Sequence, residues 1–351
     1  MRYKYLGHSG LKVSVLGYGN MTTGMGFFAG KPDPVDPAVE QSHFEMTEKC
    51  IKAGINFFDT AEIYGLGTSE IIMGNNLKQG AWDRDELIIS TKLNARIHGI
   101  QGLSRKSQRT ALTKSLARLQ LEYVDVLFLH RFDGHVPLKE QISTINEFIE
   151  NDKTFYWGTS EFTPEQLTEC HLLCDKYGWS HPIVEQCEYN MLHRDVFERD
   201  YAPLFDQYGM GTTVWSPLAG GMLTGKYNDG KIPDNTRLSN QEIPMAKMMY
   251  YRKLGWRPNN GAEMLQGLAK IAQEIGCTQA QLALAWTLAN KDVSLALFGS
   301  SSLKQLEDNL EAVNVVDKLD KGILDRIEVL LNNRPTPPVD FRTFTPREPR
   351  R

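Results

Sequence analysis

The stretch VDVLFLHRFDGHVPLKEQISTINEFIENDKTFYWGTS, residues 124–160, contains one complete unit of the fold. Its two ends, VDVLFLH and TFYWGTS, are short apolar runs rich in β-branched and aromatic residues, and such runs predict buried strands. Between them, LKEQISTINEFIEN carries apolar residues at helical spacing and predicts an amphipathic helix. A strand, a helix and a second strand in this order are typical of a parallel sheet with helices packed on its outside.

The same unit recurs about every thirty to forty residues along the chain. Strands are predicted at residues 13–19, 56–61, 87–92, 124–130, 154–160, 183–189, 211–217 and 294–300. Amphipathic helices are predicted between them, and Ser104 and Thr163 stand where N-caps belong. Eight βα units close most simply as a (β/α)8 TIM barrel, in the α/β class. The competing fold, a doubly wound open sheet, usually places GxGxxG after its first strand, and Gly17, Tyr18 and Gly19 do not complete that motif.

Three segments lie outside this repeat. Residues 1–12 predict an N-terminal β-hairpin that plugs the N-terminal end of the barrel. Residues 218–262 form a long loop after strand 7, and a connection of that length usually covers a functional site. Residues 333–351 are rich in proline and arginine and are expected to lie on the surface. We therefore expect one barrel domain at 1–332 and a C-terminal tail at 333–351.

Composition limits the partners that the protein can have. The 39 lysines and arginines stand against 43 aspartates and glutamates, so no overall positive charge attracts nucleic acid or an anionic membrane. The chain contains no run of about 18 to 20 apolar residues, so membrane insertion is not expected. The five cysteines are an odd number without a CxxC pair, which favours reduced thiols in a cytoplasmic protein.

Four residues at or just after predicted strand ends carry the chemistry: Asp59, Tyr64, Lys92 and His130. Catalytic residues of such barrels lie at the C-terminal ends of the strands, where these four would converge. A buried lysine and aspartate neutralise each other, and a lysine beside Tyr64 is expected to lower the pKa of the phenol and make it a useful acid. Each residue alone has an ordinary structural interpretation. Together they predict a proton-transfer site and hence an enzyme.

Two other kinds of active site are less well supported. A metal-dependent hydrolase would need ligands beside His130, and the available histidines, His98 and His193, are less well placed. A glycosidase would need a carboxylate partner for Asp59 at similar depth, and neither Glu185 nor Glu188 provides it. No metal is expected.

Over nearly its whole length the chain resembles the aldo-keto reductases. The resemblance rests on long segments in a fixed order: YLGHSGLKVSVLGYGN, NFFDTAEIYGLGTSE, IISTK, RLQLEYVDVLFLH, YWGTSEF, VWSPLAGGMLTGKY and FGSSSLKQLEDNL. Within the family, the chain is most similar to the branch that contains the β subunits of voltage-gated potassium channels. It departs from that branch at His130, because the channel subunits carry asparagine there and ordinary reductases carry histidine, which favours working catalysis.

The resemblance implies a role for each matching residue. Tyr64 would protonate the carbonyl oxygen of a small-molecule substrate, Asp59 and Lys92 would tune it, and His130 would orient the carbonyl. The cofactor would be NADPH/NADP+, with its nicotinamide against Tyr189 or Trp215. The remaining cofactor contacts implied by the family are Gly19, Asn20, Met21, Ser160, Gln186, Ser216, Pro217, Leu218, Ala219, Gly220, Lys226, Arg237, Gly299, Ser301, Gln305, Asp308 and Asn309.

Lys226, Arg237 and Ser301 would serve the 2'-phosphate and favour NADPH over NADH. Met21, Phe27 and Trp82 are expected to line the substrate pocket. The function expected is therefore reduction of aldehydes or ketones by an NADP-dependent oxidoreductase of the alcohol dehydrogenase type (EC 1.1.1). A regulatory β-type channel subunit that senses redox state through bound NADP(H) is the alternative. The protein could assemble as a homo-tetramer or with the cytoplasmic domain of a channel.

Overall fold

The barrel strands are short, buried and parallel. The structure is a computed structural model that describes residues 1–22, 34–93, 102–234, 236, 238–239, 248 and 250–336. Eight strands close into a barrel in which strands that follow one another along the chain are neighbours, and the last pairs with the first. Strands β1 Tyr3–Tyr5 and β2 Lys12–Ser14 precede the barrel. The barrel strands in chain order are β3 Leu16–Gly19, β4 Phe57–Asp59, β5 Ile88–Leu93, β6 Val124–Leu129, β7 Thr154–Ser160, β8 Val184–Gln186, β9 Gly211–Val214 and β10 Leu295–Phe298. The predicted (β/α)8 TIM barrel is confirmed.

Helices surround the barrel. Their order is α1 Pro37–Lys52, α2 Thr68–Gly80, α3 Arg105–Leu119, α4 Leu138–Glu150, α5 Pro164–Tyr177, α6 Ala202–Tyr208, α7 Ala262–Glu274, α8 Gln279–Ala289, α9 Leu303–Leu310, α10 Ala312–Val315 and α11 Lys321–Leu331. The predicted N-caps are confirmed, since Ser104 Oγ accepts from Ser107 N–H and Thr163 forms a capping box with Gln166.

The N-terminal hairpin closes one end of the barrel. It consists of β1 Tyr3–Tyr5 and β2 Lys12–Ser14, which pair antiparallel. Leu6 and Val13 are fully buried and belong to the same hydrophobic cluster as Phe57 and Phe128. The other end, where the barrel strands finish, is therefore the end that remains for a functional site.

The structure corrects several predicted boundaries. The apolar run 13–19 is divided, because Ser14 Oγ donates to Leu16 O at 2.6 Å and residues 12–14 pair within the hairpin. The predicted strands 183–189 and 211–217 stop at Gln186 and Val214. The amphipathic helix expected between β8 and β9 is interrupted at Tyr201, which separates a π-helical turn at Val196–Asp200 from α6.

Helices α7 and α11 were not predicted. Helix α7 begins after Gly261 without a side-chain cap, so the sequence gives little sign of its start. Helix α11 does have a side-chain cap, since Asp320 accepts from Ile323 N–H.

The long loop after the seventh barrel strand is confirmed. Between β9 and α7, the described part contains a 3₁₀ segment at Ala219–Thr224 and a π-helical turn at Tyr251–Gly255. The division into one domain at 1–332 and a tail at 333–351 stays a prediction, and residues 337–351 lie outside the described ranges. None of the helices within those ranges combines the length and the hydropathy that crossing a bilayer demands.

Candidate active site

A buried ion pair lies at the base of the candidate site. Asp59 is the last residue of β4, and Lys92 lies near the end of β5, the neighbouring strand. Lys92 Nζ lies 2.5 Å from Asp59 Oδ2 and donates to Thr60 O at 2.7 Å. Neither side chain is more than 4% exposed. Because water does not solvate these buried side chains, each charge is compensated by the opposite charge of the other.

Tyr64 lies beside this pair. The Lys92 ammonium is 5.0 Å from the centroid of the Tyr64 ring. Burial raises the pKa of the Tyr64 phenol above its ordinary value, and the charge of Lys92 opposes that shift without reversing it. The expectation that neighbours lower the pKa is therefore wrong in its net direction, because loss of solvation outweighs the lysine. Tyr64 keeps its proton at neutral pH.

His130 completes the group of four. It follows β6 directly, and its ring meets the Tyr64 ring edge to face, with centroids 5.9 Å apart. Burial lowers the pKa of His130 well below its usual range, and the charges of Lys92 and Arg131 act in the same direction. The imidazole is therefore neutral, and its buried Nδ1 has no hydrogen-bond partner among the described residues.

Neighbouring strands hold Asp59 in place. Ser90 Oγ donates to Asp59 Oδ1 at 2.7 Å, and Gln186 Nε2 donates to the same oxygen at 3.2 Å. Gln186 also donates to Thr213 Oγ1 at 3.3 Å. Gln186, expected at the nicotinamide carboxamide, is thus one hydrogen bond away from the catalytic candidates.

The loop after β9 is a tight turn built from small residues. Ser216, Ala219, Gly220 and Gly221 all have positive φ angles, between 51° and 96°. The N–H groups of Ala219 and Gly221 donate to Ser216 O and Leu218 O, and the N–H of Gly220 donates to Ser216 Oγ, so these groups close the turn on itself. A Cβ at Gly221 would meet nothing within 4 Å, so the loop borders open space. The expected pyrophosphate contacts Pro217 and Leu218 belong to the same turn.

The loop after β10 lies next to this one, because β9 and β10 are neighbours. Ser302 caps α9, and both the N–H and the hydroxyl of Ser301 donate to Gln305 Oε1. Gly299 precedes this loop, and Asn309 is buried and donates to Ser300 Oγ. Phosphate sites of TIM barrels are often built from the loops after the seventh and eighth strands.

The carboxylate of Asp308 forms hydrogen bonds within the protein. Its carboxylate accepts from the hydroxyl of Thr278 at 3.0 Å and from the amide of Gln281 at 2.9 Å. Since Thr278 is the N-cap of α8, Asp308 joins α9 to the start of α8. Its expected contact with the adenosine stays a prediction.

Several side chains fit a bound dinucleotide. Gly19 pairs with Asp59 in the barrel, and Asn20 and Met21 follow it at the mouth. Asn20 is 4% exposed, and its Oδ1 has no hydrogen-bond partner in the described part of the chain. Lys226 is exposed and forms no ion pair with any described carboxylate. The unpaired acceptor of Asn20 suits a ligand that donates a hydrogen bond, and the exposed cation of Lys226 suits one that carries negative charge.

Other expected contacts are placed differently. Tyr189 is 1% exposed and stacks on Phe197 and Trp286, and its hydroxyl donates to Glu198 at 2.7 Å. Its ring is thus enclosed by protein, whereas Trp215 remains partly exposed. Of the two residues considered for the nicotinamide ring, the structure favours Trp215.

Trp82 does not line the mouth. It lies between α2 and β5 and stacks on Phe44 of α1. Connections from a helix to the next strand lie at the N-terminal end of the barrel, opposite the active site, so this prediction is wrong. Arg237, Phe27 and His98 lie outside the described residues. Within those ranges, no group of three or more His, Cys, Asp or Glu side chains is arranged to hold a metal ion.

Sequence reasoning missed several charged residues at the mouth. Arg131 directly follows His130, and Glu161 directly follows Ser160, so attention to the residue after each strand would have found both. Glu161 has a φ of 59°, and its Oε1 accepts from Trp215 Nε1 at 2.8 Å and from Glu188 N–H at 2.7 Å. Lys253, which forms an ion pair with Glu188, is too distant in sequence to be found this way.

Comparison with known proteins agrees with the site. The family model described as "Aldo/keto reductase family" matches residues 16–332. A "Putative voltage-gated potassium channel subunit beta" of Schizosaccharomyces pombe is 41% identical over 341 residues, 95% of this chain and 94% of that protein. A "Probable voltage-gated potassium channel subunit beta" of Arabidopsis thaliana is 39% identical over 346 residues, 97% of this chain and 100% of that protein. With this match over the whole barrel, the chain belongs to the aldo/keto reductase family, and membership implies oxidoreductase activity and a nicotinamide cofactor.

Proposed function

We propose that this protein is an NADPH-dependent oxidoreductase that reduces aldehydes or ketones to alcohols, with Tyr64 as the general acid. The observation that carries the proposal is the cluster at the barrel mouth, where the Asp59 and Lys92 ion pair lies beside Tyr64 and His130 faces the Tyr64 ring. When bound, the reduced nicotinamide supplies the hydride.

The two pKa shifts, beside the geometry of the cluster, support the choice of Tyr64 as the acid. The Tyr64 and His130 rings contact each other, with centroids 5.9 Å apart, so either residue could be considered as the proton donor. Burial raises the pKa of Tyr64 and lowers that of His130, so at neutral pH the phenol holds a proton and the imidazole is not a cation. Tyr64 is therefore the proton donor, and neutral His130 orients the carbonyl oxygen. Lys92 stabilises the phenolate that remains after proton transfer.

The cofactor contacts follow the loops at the mouth. Ser160 and Gln186 would hold the carboxamide, since each can donate and accept hydrogen bonds. The small residues between Ser216 and Gly221, which border open space at Gly221, would let the pyrophosphate approach the backbone closely. The preference for NADPH rests on Lys226 and Ser301, together with Arg237, which the family resemblance places at the 2'-phosphate. We propose a cytoplasmic location for this activity.

The test measures oxidation of NADPH, monitored as a loss of NADPH absorbance, with benzaldehyde as the substrate. We expect Tyr64→Phe to lower kcat by at least about 100-fold, the usual contribution of a general acid, while NADPH binding measured by fluorescence is unchanged. Tyr123→Phe, which removes a phenol at the opposite end of the barrel, serves as the matched control and should keep full activity. Undiminished turnover in Tyr64→Phe would reject the assigned acid, and failure to bind NADPH would reject the cofactor.

The names of the relatives raise a second possibility, which concerns partners rather than chemistry. Proteins named as channel β subunits match at least 95% of this chain. Assembly with a channel cytoplasmic domain, or as a homo-tetramer, is compatible with reductase activity at the barrel mouth. Size-exclusion chromatography of the protein, alone and mixed with such a domain, tests both: a monomer that elutes unchanged in the mixture would reject them.

A further inference from the structure

Arg131 carries a guanidinium group at the mouth of the barrel. It follows His130, just beyond β6, and its side chain is exposed. Its Nη1 donates to His130 O at 2.5 Å and to Ser160 Oγ at 3.0 Å. Because Ser160 ends β7, the neighbouring strand, these bonds fix the guanidinium across the ends of two barrel strands.

This guanidinium has no carboxylate partner. Among the described residues, Arg131 forms no ion pair, whereas Arg84 is paired with Asp125 and Arg118 with Glu70. The carboxylates closest to it in the chain and at the mouth are already engaged. Asp133 accepts from the N–H groups of Leu103 and His135, and Glu161 accepts from Trp215 and Glu188 N–H.

The guanidinium is also close enough to influence the reacting groups. Its charge contributes to the lowered pKa of His130 and opposes the raised pKa of Tyr64. Only Nη1 of Arg131 donates to another described residue, so Nε and Nη2 keep free N–H groups. Arginine N–H groups in this fork geometry are suited to a carboxylate, which they bind through two parallel hydrogen bonds.

We propose that Arg131 is a specificity-determining residue that binds a carboxylate on the substrate, so that the preferred substrates are aldehydes or ketones that also carry a carboxylate group. This proposal rests on the reductase function proposed above. The same guanidinium chemistry could instead serve an acceptor on the cofactor, through Ser160 or directly. Separate measurements of substrate preference and of cofactor affinity distinguish a contact with the substrate from a contact with the cofactor.

The experiment compares 4-carboxybenzaldehyde with benzaldehyde, which present the same aldehyde with and without a carboxylate. The quantity measured is the ratio of their kcat/KM values, in the wild type and in Arg131→Gln. We expect the ratio to fall by about tenfold in the variant, the lower range for a hydrogen bond to a charged group, because Arg131 is exposed. In Arg131→Lys, which keeps the charge, part of the ratio should remain. The wild-type ratio should also decrease at high salt.

Arg109→Gln is the matched control. It removes the same charge from an exposed arginine of α3 that pairs with Glu147, and it should leave the ratio unchanged. NADPH affinity should be equal in wild type and Arg131→Gln. An unchanged ratio, or a parallel loss for both aldehydes together with weaker NADPH binding, would overturn the proposal, and the latter result would assign Arg131 to the cofactor.

A binding measurement keeps the test independent of turnover. If neither aldehyde is reduced, the reductase function fails, and calorimetry decides on Arg131 alone. With NADP+ present, 4-(hydroxymethyl)benzoate should bind the wild type about tenfold more tightly than it binds Arg131→Gln, and benzyl alcohol should show no such difference. Equal binding of the benzoate to both proteins would overturn the proposal.

Discussion

Replacing Glu185 with glutamine probes the support beneath the turn that carries Ser160 and Glu161. Glu185 is fully buried in β8, and its carboxyl accepts from Glu161 N–H and shares a hydrogen bond with the Thr159 hydroxyl, to which the protonated form can donate. Burial raises the pKa of Glu185 to about 8. At neutral pH the group therefore carries its proton. Glutamine can reproduce this form, since its amide oxygen can accept from Glu161 and its NH₂ can donate to Thr159.

The magnitude follows from linkage between protonation and folding. A glutamate in the unfolded chain has a pKa of about 4.3, well below the folded value. A group whose pKa is raised by folding contributes its stability fully below the unfolded pKa and loses it as pH rises through the folded pKa. At about 1.4 kcal/mol per pKa unit, Glu185 lowers the free energy of unfolding by roughly 3.5 kcal/mol between about pH 5 and about pH 8. The glutamine variant does not titrate and escapes this loss.

The assay is urea unfolding of both proteins across this pH range. We expect the stability of Glu185→Gln relative to wild type to increase by roughly 3.5 kcal/mol from about pH 5 to about pH 8. Glu150→Gln makes the same formal charge change at an exposed position and should give a nearly constant difference. A difference that stays constant for Glu185→Gln, or that decreases with pH, would refute the assignment of a neutral carboxyl.

Two further substitutions test the Lys253–Glu188 ion pair and the close packing of Gly158 against neighbouring barrel strands. Lys253→Met should lower the free energy of unfolding, measured with urea, by about 3 kcal/mol, because Glu188 would stay nearly buried without its cation. The double variant with Glu188→Gln should recover part of this loss. Equal stability of the wild type and the single variant would contradict the reasoning. Gly158→Ala should cost about 2 kcal/mol by thermal unfolding, since its Cβ would press on Val184 O and lie 2.9 Å from Phe128 Cε1. Gly134→Ala, whose Cβ meets only Phe132 at 3.7 Å, is its control, and equal melting temperatures for the two variants would argue against tight packing at Gly158.

The fold was predictable because each barrel strand is buried on both faces. Runs such as residues 124–130 are continuously apolar, and their recurrence with helical segments between them leaves few alternatives to a barrel. The boundaries were less accessible for the same reason. A continuous apolar run gives no sign of where pairing changes, so the sequence predicts one strand over residues 13–19, although residues 12–14 pair with β1. That division depends on Asn56, which accepts from Ser14 N–H and is far away in sequence.

The candidate site was predictable as far as strand ends could be located. Asp59, Lys92 and His130 all fall at or next to the ends of β4, β5 and β6, and barrel closure is sufficient to bring them together. Arg131 lies one residue further and was overlooked because a charged residue after a strand is usually solvated. Its unpaired state is visible only in three dimensions, where Asp133 and Glu161 are engaged elsewhere.

The direction of the Tyr64 pKa shift shows where sequence reasoning stops. The sequence supplies the sign of each charge near the phenol, and on charges alone Lys92 would lower its pKa. Asp59 partly cancels that effect, and the larger contribution is burial, which no local motif encodes. In the proposed mechanism, a raised pKa means that Tyr64 gives up its proton to an oxygen on which negative charge is developing. The buried lysine then contributes most when the phenolate forms, so the same burial that makes Tyr64 a weak acid at rest makes the stabilisation by Lys92 specific to the reacting state.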